Sequence, residues 1–313
     1  MRTISDNFQK NILLSSQTTF RIGGPAKYFL AASSKKEIVE AINWAKENNL
    51  PFFILGGGSN ILFSDKGFSG LIIKPQFLGL EFKKEKGSLL AEVGASVSLA
   101  EVVSESINSD FSGLEWALGI PGTLGGAICG NAGRLGQDIS QVIRRVKILN
   151  ENLIEEEILV SECDFSYRSS RFKQRPEIIL SAVLQFNPLE KNKSEELLNQ
   201  AQRIVEKMPD WPSAGSVFKN YLVGESDILT KENPEFKEKI KGGKLPAGAL
   251  IEQCGLLGKR IGGAKIWEQH GNFILNINNA KATEVLELIE LCKESVKEKF
   301  GVALEEEIRK IGF

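Results

Sequence analysis

An α+β fold in two or three lobes is what this sequence predicts, and three observations carry the prediction. Its 313 residues are enough for more than one hydrophobic core. Helical stripes and strand patterns follow one another irregularly along the chain. Glycine is concentrated in GGGSN at 56–60 and in GIPGTLGGAICGNAG at 119–133, the latter with six glycines in fifteen positions. Glycine inside an element costs backbone entropy, so this density needs a use.

The first helix is predicted from SSKKEIVEAINWAKENN, where Ser34 and Glu37 have capping-box spacing and Ile38, Ala41, Ile42 and Ala45 share a face. PFFILGGGSNILFSD then reads as strand, glycine turn, strand. Further strands are expected at Leu71–Ile73, Leu89–Val93, Val142–Leu149 and Ile178–Phe186, with a short helix over 98–109. A polar bridge, NPLEKNKSEE, precedes a helix near 195–208. Residues 209–276 are irregular and glycine-rich, ending in the strand FILN. A long helix from Thr283 to Phe300 carries the apolar stripe Val285, Leu288, Ile289, Cys292 and Val296. LEEEIRKIG closes the pattern as a strand, which places Glu305 and Glu307 on one face.

Composition excludes several classes. Thirty-nine basic residues against forty acidic ones leave a net charge of −1, which argues against a broad nucleic-acid surface, although a local basic pocket stays open. No segment is apolar for long enough to cross a bilayer, and the first sixteen residues lack a secretory apolar core, so a cytoplasmic protein is expected. Cys129, Cys163, Cys254 and Cys292 stand far apart without a C-x-x-C pair, which points to core thiols rather than a disulfide or zinc framework. With His270 as the single histidine, no metal site is expected.

Neither glycine cluster has the spacing of a dinucleotide fingerprint or of a P-loop. Two readings remain open. Successive backbone N–H groups can form a nest for a diphosphate, with Ser59, Asn60 and Thr123 adding side-chain donors. Alternatively, the glycines serve tight structural turns.

Six motifs in order resolve the choice. TTFRIGGPA (18–26), ILGGGSNILFSD (54–65), GLEWALGIPGTLGGAICGNAG (113–133), YRSSRFK (167–173), PSAGSVFKN (212–220) and LIEQCGLLGKRIGGAKI (250–266) together resemble the UDP-N-acetylenolpyruvoylglucosamine reductase family, the UDP-N-acetylmuramate dehydrogenases. The resemblance covers nearly the whole chain. It implies a two-lobed FAD-binding domain of the vanillyl-alcohol-oxidase/PCMH type, with lobes over 1–75 and 76–193. A separate α+β substrate domain over 194–300 would follow, and then a strand over 301–313 returning to the active site. The short bridge and the RIGG motifs resemble the shorter subtype, which lacks a tyrosine-bearing loop.

The implied reaction is NADPH-dependent reduction, through FAD, of an enolpyruvyl ether on UDP-N-acetylglucosamine to a lactyl ether. FAD would be held by Gly56, Gly57, Gly58, Ser59 and Asn60, and by Gly119, Ile120, Pro121, Gly122, Thr123, Gly125, Gly126, Asn131 and Ala132. It would be non-covalent, because His270 lies outside the FAD domain. Adding hydride and a proton to a C=C beside a carboxylate requires a cation for the developing enolate and a proton donor. The family's arginine, serine and glutamate match Arg168, Ser216 and Glu307. Taken alone, these read as a surface ion-pair arginine, a turn residue and part of a solvated acidic strand end. Asn220 and Gln253 match substrate contacts, Lys219 and Arg260 are charge-based candidates, and Tyr167 adjoins Arg168. Two departures from the family pattern are Glu306 and Tyr221, each in place of a proline. His270 reads as a packed or surface residue. The expected partners are the UDP-sugar and NADPH, with no obligatory protein partner. Two competing functions are a flavin oxidase of the same superfamily and a nucleotide-sugar-binding regulator without catalysis.

Overall fold

Ser34 begins helix α1 (Lys35–Glu47), its hydroxyl accepting the Glu37 N–H at 3.2 Å. The Glu37 carboxylate reaches one residue further back than a capping box requires, to the N–H and hydroxyl of Ser33 at 2.7 and 2.9 Å. Ile38, Ala41, Ile42 and Ala45 are all buried, packing with Leu71, Ile73, Leu149, Ile178 and Leu180.

The computed structural model describes residues 3–85, 87–134, 136–189, 193–224 and 228–313. The chain divides into two units, Met1–Lys10, Tyr28–Gly57 and Gly70–Met208 in the first, and Asn11–Lys27, Gly58–Ser69 and Pro209–Phe313 in the second. This differs from a lobe running unbroken over 1–75, because residues 11–27 and 58–69 cluster with the C-terminal part. Residues 194–208 stay with the first unit. Residues 190–192 of the expected polar bridge lie outside the described residues.

The first unit is built on a six-stranded sheet. Its order is Glu155–Leu159, Ile143–Leu149, Ile178–Pro188, Ser88–Gly94 and Leu80–Glu85, with Phe111–Ser112 pairing to the end of Ile178–Pro188. Neighbouring strands run antiparallel. Helix α2 (Leu99–Asn108), capped by Ser98, buries Val102, Val103 and Ile107 in this sheet's core. Helix α3 (Leu124–Gly130) joins the same core through Leu124 and Ile128. Helix α4 (Lys193–Val205) ends the unit's run of elements.

In the second unit α5 (Ile228–Glu232), α6 (Ala247–Gln253) and α7 (Ala282–Phe300) accompany a four-stranded antiparallel sheet. That sheet is ordered Ser213–Ser216, Phe273–Asn276, Ala264–Ile266, Arg260–Ile261. The α7 stripe of Val285, Leu288, Ile289, Cys292 and Val296 is buried with Phe218, Leu250 and Ile251. Asp65 caps α7, accepting the N–H groups of Ala282 and Thr283 at 2.8 and 3.1 Å. The closing strand is shorter than expected. It spans only Arg309–Ile311, parallel to Ile61–Phe63, and the three glutamates precede it.

Burial pushes the Cys163 thiol up to about 11 and the Cys292 thiol up to about 12. Native protein treated with iodoacetamide at about pH 8 should therefore retain both thiols, which should react once urea unfolds the chain. Mass spectrometry of the two digests checks this. Asp65→Ala should lower stability by about 1–2 kcal/mol in a urea titration, the range for a lost N-cap. A change within error would mean that other groups already satisfy the first turn of α7.

Candidate active site

Gly56 and Gly57 meet the second glycine cluster within the first unit. A Cβ on Gly57 would stand 2.7 Å from the Gly122 Cα, and one on Gly56 would stand 2.9 Å from the Thr123 Oγ1. Backbone bonds hold the second cluster in place: Leu99 N–H to Gly122 O, Leu124 N–H to Val97 O, and Gly125 N–H to Ala95 O, at 2.8–3.0 Å. A Cβ on Gly125 would be 2.9 Å from that of Ala95. Close protein neighbours thus account for Gly57 and Gly125. At Gly130, by contrast, a Cβ would meet nothing within 4 Å.

Part of this cluster, read from the sequence as a nest or as tight turns, is the helix α3. Thr123 Oγ1 caps it by accepting the Gly126 N–H, and Asn131 ends it in the left-handed region at φ +43°. The Asn131 amide donates to Ser166 O at 2.9 Å. Its Oδ1 is buried without a hydrogen-bond partner among the described residues. A buried acceptor beside side-chain-free backbone fits a ligand that presents O–H or N–H donors, as the ribityl chain and ring of FAD do. In the second unit Thr18 Oγ1 is likewise buried without a partner among the described residues. Thr18 opens the TTFRIGGPA motif, in which the sequence singles out no individual site residue. Gly58, with φ +65°, lies there against Gln17 O.

Arg168 occupies the tip of a tight turn in which Ser166 and Ser169 exchange backbone hydrogen bonds. Its φ of +56° is unusual for a residue with a side chain and costs roughly 1 kcal/mol or more. Lys173 Nζ donates to the Arg168 carbonyl at 2.6 Å, and the Arg168 guanidinium carbon stands 5.4 Å from the Tyr167 ring centre. Ser170 Oγ anchors the same turn to Cys129 O at 2.7 Å. The motif's other arginine, Arg171, is engaged by Glu177 through two nearly buried hydrogen bonds at 2.9 and 2.5 Å. A residue that sequence reasoning passed over, Arg134, has its pKa lowered by burial and then by the neighbouring Arg168 charge.

In the second unit Ser216 ends a strand at its pairing with Phe273, directly after Gly215 at φ +74°. The residues that follow pair with the glutamate segment. Glu307 N–H donates to Val217 O at 2.7 Å and Lys219 N–H to Glu305 O at 2.8 Å, while Phe218 and Glu306 form a bridge. The backbone therefore brings Ser216 and Glu307 close without any continuous strand over 305–307. Asn60 reinforces this, its amide donating to Glu307 O at 3.1 Å and its carbonyl accepting from Arg309 N–H at 3.0 Å.

The other candidates are placed as follows. Lys219 forms an ion pair with Glu305. Asn220 Oδ1 accepts the Ala247 N–H at the start of α6, at 3.3 Å. Gln253 is exposed at the end of α6, and its carbonyl accepts from Lys299. Arg260 is exposed, with Nε donating to Gly262 O at 2.7 Å. His270 Nδ1 accepts the Asn272 N–H at 3.2 Å, and Asn272 in turn bonds both backbone groups of Phe218 at 2.8 Å. The histidine thus supports the turn beside Ser216. Among the described residues no helix is long and apolar enough to cross a membrane. Nor is any group of three or more His, Cys, Asp and Glu among them placed to hold a metal ion.

Comparison with known proteins decides the family. The model of the UDP-N-acetylenolpyruvoylglucosamine reductase C-terminal domain matches residues 205–311, and that of an FAD binding domain matches 26–152. The UDP-N-acetylenolpyruvoylglucosamine reductase of Caldicellulosiruptor bescii is 40% identical, the match covering 97% of this chain and 91% of the relative. The chain belongs to the UDP-N-acetylenolpyruvoylglucosamine reductase family. A Chlamydia trachomatis reductase of the same name is 37% identical over 97% of this chain and 96% of its own. The crystal structure of the Thermus caldophilus reductase superposes with a TM-score of 0.77 at 28% identity, covering 97% of this chain and all of that one. Within this α+β family the present chain is an FAD-containing oxidoreductase.

Glu306, where the family pattern led us to expect proline, is held by Lys293 and by Lys310, the latter at 2.9 Å. It therefore ties α7 to the closing strand beside Glu307. Burial alone would raise its carboxyl, but the two ammonium groups outweigh burial and hold it below the ordinary range. A depressed carboxyl contributes stability above its unfolded pKa and loses that contribution as pH falls through the folded value. Glu306→Gln should cost about 1–2 kcal/mol at neutral pH. The difference from wild type should shrink as the pH is taken from neutral to well below the ordinary carboxylate range. Urea titrations of both proteins at the two pH values check this; an equal cost at both would assign Glu306 to packing rather than charge.

Proposed function

We propose that this protein reduces the enolpyruvyl ether of UDP-N-acetylglucosamine to the lactyl ether of UDP-N-acetylmuramate, with NADPH as reductant, in cytoplasmic synthesis of a cell-wall precursor. The observation that carries the reading is the pairing of residues 217–219 with 305–307, which sets Ser216 beside Glu307 in a chain of this reductase family. The glycine clusters and Asn131 support non-covalent FAD, held by the residues of 56–60 and 119–132 named from the sequence. Bound FAD would supply hydride.

The chain supplies the rest. Arg168 forks onto the substrate carboxylate and counters the charge that develops there. Ser216 gives a proton to the carbon bearing the ether oxygen, and Glu307 assists beside it. A hydroxyl is a weak acid, so it needs a neighbour that stabilises the alkoxide or returns the proton quickly. Tyr167, Lys219, Asn220, Gln253 and Arg260 would meet the substrate, and no protein partner is required.

Purified protein should be yellow and should release its flavin on acid precipitation. Ser216→Ala should leave anaerobic bleaching by NADPH nearly intact, because that half-reaction needs no proton to carbon. Recolouring by the enolpyruvyl sugar should slow by ~10²–10⁴, and Ser216→Cys should restore part of it. Stopped-flow traces of each half-reaction separate these effects. Equal slowing of both would make Ser216 structural and leave the proton donor elsewhere.

A further inference from the structure

Arg134 lies on the short strand Gly133–Arg134, three residues beyond the Asn131 that ends α3. Two bonds fix the turn carrying Arg168 against that helix end: Asn131 Nδ2 to Ser166 O at 2.9 Å, and Ser170 Oγ to Cys129 O at 2.7 Å. The same local scaffold therefore carries both arginines. Arg134 is half-buried, and its Nη1 is oriented by Leu118 O at 3.1 Å, a neutral acceptor. Among the described residues no carboxylate lies within ion-pair distance of it. In the motif that carries Arg168, by contrast, Arg171 is neutralised by Glu177. Burial and the Arg168 charge both work against the Arg134 cation, which the protein keeps without an acidic partner.

Two cations held near each other in a partly desolvated place repel, and an anion between them turns that repulsion into two attractions. The substrate of the proposed reaction brings such an anion. Hydride addition moves a further negative charge onto its carboxylate, so a second cation there stabilises the transition state more than the ground state. Resting on that reading of the function, we infer that Arg134 is a second guanidinium for the substrate's carboxylate, shared with Arg168. It is a specificity-determining residue, because it separates UDP-sugars that carry the acid from those that lack it.

Calorimetric titration of the flavin-loaded protein with two probes tests this: UDP-N-acetylmuramate, which carries the carboxylate, and UDP-N-acetylglucosamine, which does not. Arg134→Met should weaken the first about tenfold or more, as loss of a charge-assisted hydrogen bond does, and leave the second nearly unchanged. Arg134→Lys should recover part of the loss, and the flavin spectrum of both variants should match wild type. Unchanged affinity of Arg134→Met for the acid would overturn the inference. So would equal weakening toward both probes, which would direct Arg134 to the diphosphate instead. A wild-type protein that binds neither probe would instead overturn the functional reading on which the inference rests. Wild type that binds both, with an indifferent variant, would leave that reading standing and remove only the role of Arg134.

Discussion

Three backbone hydrogen bonds join residues 217–219 to residues 305–308: Glu307 N–H and Ile308 N–H to Val217 O, and Lys219 N–H to Glu305 O. The placement of Ser216 and Glu307 in the second unit depends on this junction. Ser216 and Glu307 are 91 positions apart in sequence, and neither is placed by a local element that would hold it in register with the other. Side chains then lock the junction from three directions. Asn60 grips the Glu307 carbonyl, Lys293 and Lys310 hold Glu306, and the Lys219–Glu305 pair closes the outer edge. Replacing one of these weakens the frame, whereas replacing Ser216 leaves it standing.

Glycine clusters in this chain for two different reasons. Gly57 and Gly125 are small because protein backbone lies against them, whatever ligand binds nearby. Gly130 has no such neighbour, and the buried Asn131 acceptor next to it points to a bound group. A glycine-rich motif therefore need not have a single cause. Here the close packing of two loops builds the surface that the remaining glycines leave open.

Elements whose stabilisation is local were legible in the sequence. Helices α1 and α2 carry their own caps in Ser34 and Ser98, and α7 carries an unbroken apolar stripe. Helix α3 was not legible, since three of its seven residues are glycine and its propensity is poor. It forms because Leu124 and Ile128 are buried and the backbone at 95–99 engages its first turn. The glutamates at 305–307 have alternating neighbours that suggest a strand, yet their backbone groups are taken by Val217 and Lys219. Motif order pointed to Arg168, Ser216 and Glu307 as individual residues. Nothing in a linear reading linked Asn60 to Glu307 or Arg134 to Arg168, because both relations exist only after folding.

Parallel pairing of Ile61–Phe63 with Arg309–Ile311 has a bearing on how the molecule is made. Closing so long a loop is entropically slow, and residues 61–63 leave the ribosome long before their partners are synthesised. The first unit, whose sheet is complete by residue 188, can assemble while the chain is still being translated. The second has to wait. Until residue 311 emerges, the strand Ile61–Phe63 is an unpaired apolar edge, and that interval is when the nascent chain is most exposed to aggregation or to capture by a chaperone.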